Sequence, residues 1–271
     1  MNRFFILLLA YCIFPHAIAM GKATTSLWRL GPVALFSPKK NNKLIRDGGG
    51  FTWEASVDRA TGKAYAKEVS YLPHDWSQRL QPQQQRGKQQ QQSSIILKTE
   101  KVLGQYPNWL CRGSVTLGIL QAVPVGSGAG AATGGTRIQT RLGGIPILTF
   151  GKPVGQRVAI TSQNIRDESI QWTYPIVGGI MAAKTTPSAP SAGKLVVTLR
   201  SVATEPVLDT QLVDYRPALV GGGGDGGQKP ANPIRVALYL GSQSAIHGYA
   251  MWRYHRYVRN YSFADIATKK K

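Results

Sequence analysis

Apolar and polar residues alternate along much of this chain, with the period of two that sends successive side chains to opposite faces of a β-strand. Phe51–Val57 (FTWEASV) and the following KAYAKEVSYL both alternate, and DRATGK between them supplies a hairpin turn with Gly62 where positive φ is needed. Further strands are predicted over Ser94–Leu103, Leu110–Val123, Thr136–Leu142, Ile145–Phe150, Gln156–Ser162, Ser169–Ile176, Lys194–Ala203 and Val207–Tyr215. The total is about ten strands with turn signals at sandwich or barrel spacing. Short Gly- or Pro-bearing links make neighbouring strands antiparallel.

The period changes after the glycine-rich stretch Gly221–Pro230. Asn232–Asn260 holds no cluster of turn residues and reads as a helix over 233–260, with Asn232 as N-cap and Pro233 at the first helical position. Gly241 and Gly248 each cost about 1 kcal/mol there relative to Ala. RVALYL therefore reads alternatively as a last strand, with the helix starting after a capping Ser242. From Ser244 onward the helical period is firmer: Ile246, Tyr249, Ala250, Trp252 and Tyr257 supply an apolar body, and Arg253, Arg256 and Arg259 share one side. The predicted fold class is α+β, mainly β: a large antiparallel sheet or partly open barrel covered by a C-terminal helix.

The first segment follows a different logic. Arg3 precedes the unbroken apolar run Phe4–Phe14, and Ala17-Ile-Ala19 offers small residues for cleavage. The run is shorter than the roughly 20 residues a membrane-spanning helix needs, so residues 1–19 read as a secretory signal peptide. Residues 20–50 are basic and turn-rich, which suits either an N-terminal arm or a second targeting segment. Residues 51–271 then form a single β-rich domain, with loops expected to be disordered at 78–93 (glutamine repeats), 126–135, 182–193 and 221–230. The expected address is secretion or the endomembrane lumen, with a complex plastid reached by the secretory route as the alternative. No integral membrane span is expected once the signal is removed.

Charge narrows the partners. The chain carries 33 Lys and Arg against 13 Asp and Glu, a formal net charge of +20. No acidic residue occurs from Lys101 to Arg166 or from Gly226 to Ala264, although both stretches contain Lys and Arg. Such a field favours anionic lipid, acidic polysaccharide or nucleic acid. Cys111 is the one cysteine left after signal removal, which excludes an internal disulfide and suits a small buried apolar residue.

Catalytic and cofactor signals are weak. Gly126–Gly135 lacks the spacing of a phosphate loop and precedes an alternating stretch rather than a helix. His74, His247 and His255 lack metal-ligand spacing, the last two standing roughly 80° apart around a helix. Asp167 and Glu168 are placed in a turn, and Asp209 and Asp214 on opposite sides of a regular strand. No G-x-S-x-G elbow is present. No cofactor and no metal is predicted, and the chain reads as a binding module more than as an enzyme, with an enzyme of unknown class, its site assembled from scattered residues, as a third reading. The first reading is an apolar small molecule or lipid held between sheet and helix by Trp172, Tyr174, Tyr249 and Trp252. The second is an anionic surface met by Arg253, Arg256 and Arg259. Asn260-Tyr-Ser262 is an N-glycosylation sequon.

Overall fold

The computed structural model describes residues 50–73, 75–76, 99–112, 116–126, 134–162, 165–184, 191–200, 206–220 and 230–261, with backbone alone for 158–162 and 165–168. The expected signal peptide, nearly all of the 20–50 segment, His74, loop 78–93 and most of the other three loops lie outside these residues.

Nine strands form one open antiparallel sheet: β1 (Phe51–Val57), β2 (Ala64–Tyr71), β3 (Leu120–Pro124), β4 (Thr136–Thr140), β5 (Pro146–Phe150), β6 (Val154–Ser162), β7 (Ile165–Gly178), β8 (Lys194–Arg200) and β9 (Val207–Tyr215). Their order is β1-β2-β9-β8-β7-β5-β4-β3, with β6 also paired to β7. The first hairpin pairs Phe51 with Ser70 and Val57 with Ala64, around a turn in which Gly62 has φ of 68°. β7 is the longest strand. One edge pairs with β8, while the other pairs first with β6 and then, at Ile176 and Gly178, with β5.

Three predicted elements are corrected. Residues 99–103 are helical where a strand over Ser94–Leu103 was expected, and α1 (Tyr106–Leu110) follows in the gap between that stretch and the next expected strand. Val102, Leu103, Tyr106 and Trp109 are buried at a helical spacing that a strand reading hides. The strand expected over Leu110–Val123 shrinks to β3, because Leu117 and Gly118 turn the chain with φ of 54° and 74°. Asp167 and Glu168 belong to β7 rather than to a turn, and pair with Ile160 and Ala159.

The single helix expected over 233–260 is two: α2 (Pro233–Gly241) and α3 (Gln243–Asn260), separated at Ser242. Asn232 caps α2 as its sequence position predicts, its side-chain oxygen accepting from the Ile234 N–H at 2.9 Å, with Pro233 behind it. Ser242 does not cap forward onto α3; its hydroxyl donates back to the Leu238 carbonyl.

The helices pack on one face of the sheet. Ala64, Ala66, Glu68 and Ser70 of β2 point toward them and are buried, while Tyr65 and Tyr71 point away and are exposed. Small side chains on the covered face let α3 come close. Its buried stripe is Ser244, Gly248, Met251, Tyr254, His255 and Val258, the spacing of one helix face. Burial of Met251, Tyr254 and Val258 stabilises the docked helix by about 1.5–3 kcal/mol for each large apolar side chain. The Trp76 indole N–H donates to the Val258 carbonyl at 2.8 Å and pins the last turn.

The two helical glycines differ in surroundings. A Cβ at Gly248 would stand 2.8 Å from Trp53 Cε2, whereas one at Gly241 would meet nothing within 4 Å. Gly248→Ala is expected to destabilise the fold by about 1–3 kcal/mol through overpacking. Gly241→Ala is expected to stabilise it by roughly 0.5–1 kcal/mol. Chemical denaturation of the two variants beside the parent protein measures both.

Candidate functional site

Three groups of side chains between and on the helices have chemical potential: a cluster of rings, a buried polar chain and the outer face of α3.

Rings fill the centre of the sheet–helix interface. Tyr106 lies 5.0 Å from Tyr254, 6.0 Å from Tyr174 and 6.2 Å from both Trp109 and Phe150. Trp109 in turn sits 5.0 Å from Tyr254. Trp172 stacks on Tyr174 at 6.4 Å, and its ring lies against the backbone at Gly155 and Gly104, where a Cβ would come within 3.1 and 3.3 Å. The Tyr174 hydroxyl donates to the Leu103 carbonyl at 2.6 Å, and burial raises its pKa well above the usual phenol range. Cys111 is a buried free thiol beside this cluster, its pKa pushed up to about 11 by desolvation. A thiol so held is a poor nucleophile at neutral pH.

Of the four residues assigned to an apolar ligand, Trp172 and Tyr174 belong to this core. Tyr249 and Trp252 form a separate pair, with ring centroids 6.0 Å apart on the outward side of α3. The residue of α3 that meets the ring cluster is Tyr254, on the face opposite Tyr249.

The polar chain joins β2, β9 and α3. Ser70 Oγ is 2.7 Å from His255 Nδ1, His255 Nε2 is 3.1 Å from Thr210 Oγ1, and Thr210 Oγ1 donates to Glu68 Oε2 at 2.7 Å. All four residues are buried. The hydrogen-bond directions follow from the donor inventory. Thr210 has one hydroxyl proton and gives it to Glu68, so His255 must present Nε2–H to Thr210. Nδ1 is then the acceptor, and Ser70 donates to it. Each bond points toward the Glu68 carboxylate and polarises the next. His247 Nε2 stands 3.1 Å from Glu68 Oε1 without hydrogen-bond alignment, so protonation of His247 would make it a charge contact.

Ser70, His255 and a carboxylate have the order of a nucleophile, a base and an orienting group. Two observations oppose that use. Ser70 and His255 are only 3% and 2% exposed, which leaves no approach for a substrate carbonyl. Burial also pulls the His255 pKa down to about 3, making it a weak base at neutral pH. The chain is therefore a clamp holding α3 on the sheet. Sequence reasoning missed it. The available signal was Glu68 and Ser70 falling on the same side of an alternating strand as Ala64 and Ala66, a side that helix packing buries.

The outer face of α3 carries the predicted arginines. Arg256 is exposed, with its guanidinium 5.7 Å from the centre of the Trp252 ring. Arg253 and Arg259 are half-buried and make contacts within the fold. Nearby, the Arg112 guanidinium lies 4.7 Å over Tyr257 and donates to its hydroxyl at 3.3 Å. Asn260 ends α3 and is exposed. Acids on the sheet's uncovered face pair locally: Asp214 with Lys63 at 2.9 Å, and Asp209 with Arg200 at 3.0 Å. Asp214 has φ of 53° beside a register shift between β2 and β9. That bulge resets the alternation, so Asp209 and Asp214 share this face instead of opposing one another.

Among the described residues no group of three His, Cys, Asp or Glu side chains could hold a metal ion, and no helix is long and apolar enough to cross a membrane. No protein-family model matches the chain, and no curated protein matches its sequence.

The clamp sets a pH dependence. His255 has a folded pKa near 3 against about 6.5 unfolded, so between those values the unfolded chain binds more protons. Stability from this group is complete above pH 6.5 and falls as pH drops. The loss between pH 7.5 and pH 5 is expected to be about 2 kcal/mol. Denaturant midpoints of the parent and His255→Gln proteins at both pH values check this. The variant starts less stable and lacks this component of the pH dependence.

Proposed function

We propose that this protein is a non-catalytic binding module for a polyanion, engaged through the outer face of α3. The supporting observation is Arg256 over Trp252 on that face, between Arg253 and Arg259, in a stretch from Gly226 to Ala264 that holds no acidic residue. Guanidinium groups on rings retain their charge and donors for phosphate, sulfate or carboxylate. Arg235 on α2 is also exposed and adds to the same sign of field. The reading with an apolar ligand between sheet and helix requires space there, and the rings of that interface contact one another at centroid distances from 5.0 to 6.4 Å. This favours the surface over the interior as the place of binding.

Binding should weaken steeply with salt. For a fluorescein-labelled single-stranded oligonucleotide used as polyanion, the log–log slope of affinity against KCl should become shallower by about 2 when Arg253, Arg256 and Arg259 are all replaced by Gln. Fluorescence anisotropy over a salt series measures it, and an unchanged slope rejects the assignment.

A further inference from the structure

We infer that the polyanion is a single-stranded nucleic acid, recognised by stacking of bases on the Tyr249–Trp252 pair as well as by phosphate contacts to the arginines. The inference rests on the polyanion reading and adds the identity of the ligand. Tyr249 and Trp252 are half-buried, their planes inclined by only 34°, and Arg256 lies across Trp252. Two rings followed by guanidinium groups thus lie along one helix face. Arg253 and Arg259 are separated by about 9 Å along the helix axis, within reach of successive phosphates for long side chains.

The three polyanion classes ask different things of such a face. A sulfated polysaccharide has no π-face and uses only the cations. A bilayer takes up exposed apolar side chains that sink into the acyl boundary. The strongly exposed large apolar residues of this protein include Leu142, Ile234 and Leu117 but none on α3. A single strand uses both features present here, because every base can stack on an aromatic ring whatever its sequence, while phosphates meet the charges. A duplex buries its bases and would use the charges alone.

The test compares four ligands on the full-length chain at one salt concentration: labelled oligouridylate, a duplex of equal length, a heparin fragment, and vesicles with 30% anionic phospholipid. Trp252→Ala should weaken oligouridylate binding by roughly 5- to 150-fold, leaving duplex, heparin and vesicle binding within about twofold, and Trp252→Phe should restore most of the loss. Circular dichroism confirms folding; if Trp252→Ala is unfolded, Tyr249→Ala replaces it with the same expected pattern. Equal affinity of parent and ring variant for oligouridylate overturns the inference. If the triple-Gln salt slope still changes, the general polyanion reading survives that failure. Vesicle binding tighter than oligouridylate binding and lost with the Trp252 ring also overturns it, in favour of a membrane.

Discussion

The approach of α3 to the first hairpin is the contact on which the rest of the molecule depends. Glu68 is a fully buried carboxylate, and burial of such a group is tolerable only if its oxygens are met. Oε2 is met by Thr210 from β9, and Oε1 stands 3.1 Å from His247 Nε2 of α3 without a hydrogen bond. His255 closes the arrangement only when the helix backbone is near enough to the sheet. Gly248 against the Trp53 ring, and Ala64 and Ala66 beneath, provide that closeness. A displacement of α3 would take His255 away, leaving the Ser70 hydroxyl without its acceptor and Thr210 without the imidazole N–H, at about 1–3 kcal/mol for each stranded group, while the Thr210–Glu68 bond within the sheet stayed in place. The polar chain thus fixes the rotation and height of a helix that ring packing alone would hold less specifically.

That rotation decides what α3 shows to solvent. With Ser244, Gly248, Met251, His255 and Val258 turned inward, Tyr249, Arg253 and Arg256 turn outward. Several of the described acids are engaged elsewhere. Glu100 pairs with Arg157, and Asp209 and Asp214 hold Arg200 and Lys63. Asp58 lies in the first hairpin turn and accepts from Thr61 and the Ala60 N–H.

The sheet was largely legible because alternation and turn residues act locally. The first hairpin, β4, β5, β8 and β9 lie close to where the pattern puts them, and the Asn232–Pro233 helix start follows from capping chemistry alone. The errors arose where local pattern served two structures. The apolar residues of 94–103 satisfy a strand reading until Val102 and Leu103 are taken together with Tyr106 and Trp109 at helical spacing. Tyr249, Trp252 and Tyr257 look like a helix's inward face because they are large, yet the true inward face includes Gly248 and His255. Size is a poor guide there, since the sheet demands closeness from one position and hydrogen bonding from another. The polar chain was illegible because its members come from β2, β9 and α3, and no pairwise spacing in the sequence relates Ser70 to His255.

The pairing of β2 with β9 has a consequence for how the chain is made. These strands are neighbours in the sheet but lie far apart along the polypeptide, and α3, which covers the first hairpin, comes later still. While the chain emerges from the ribosome, the first hairpin can close on itself but has one bare strand edge and one uncovered side until β9 and α3 have been synthesised. Contacts of such long sequence separation form slowly, and an unpaired edge invites pairing with a neighbouring chain. The small and polar residues Ala64, Ala66, Glu68 and Ser70 on the waiting side of β2 make that interval safer than a row of large aliphatics would, since they offer a stray partner little to grip.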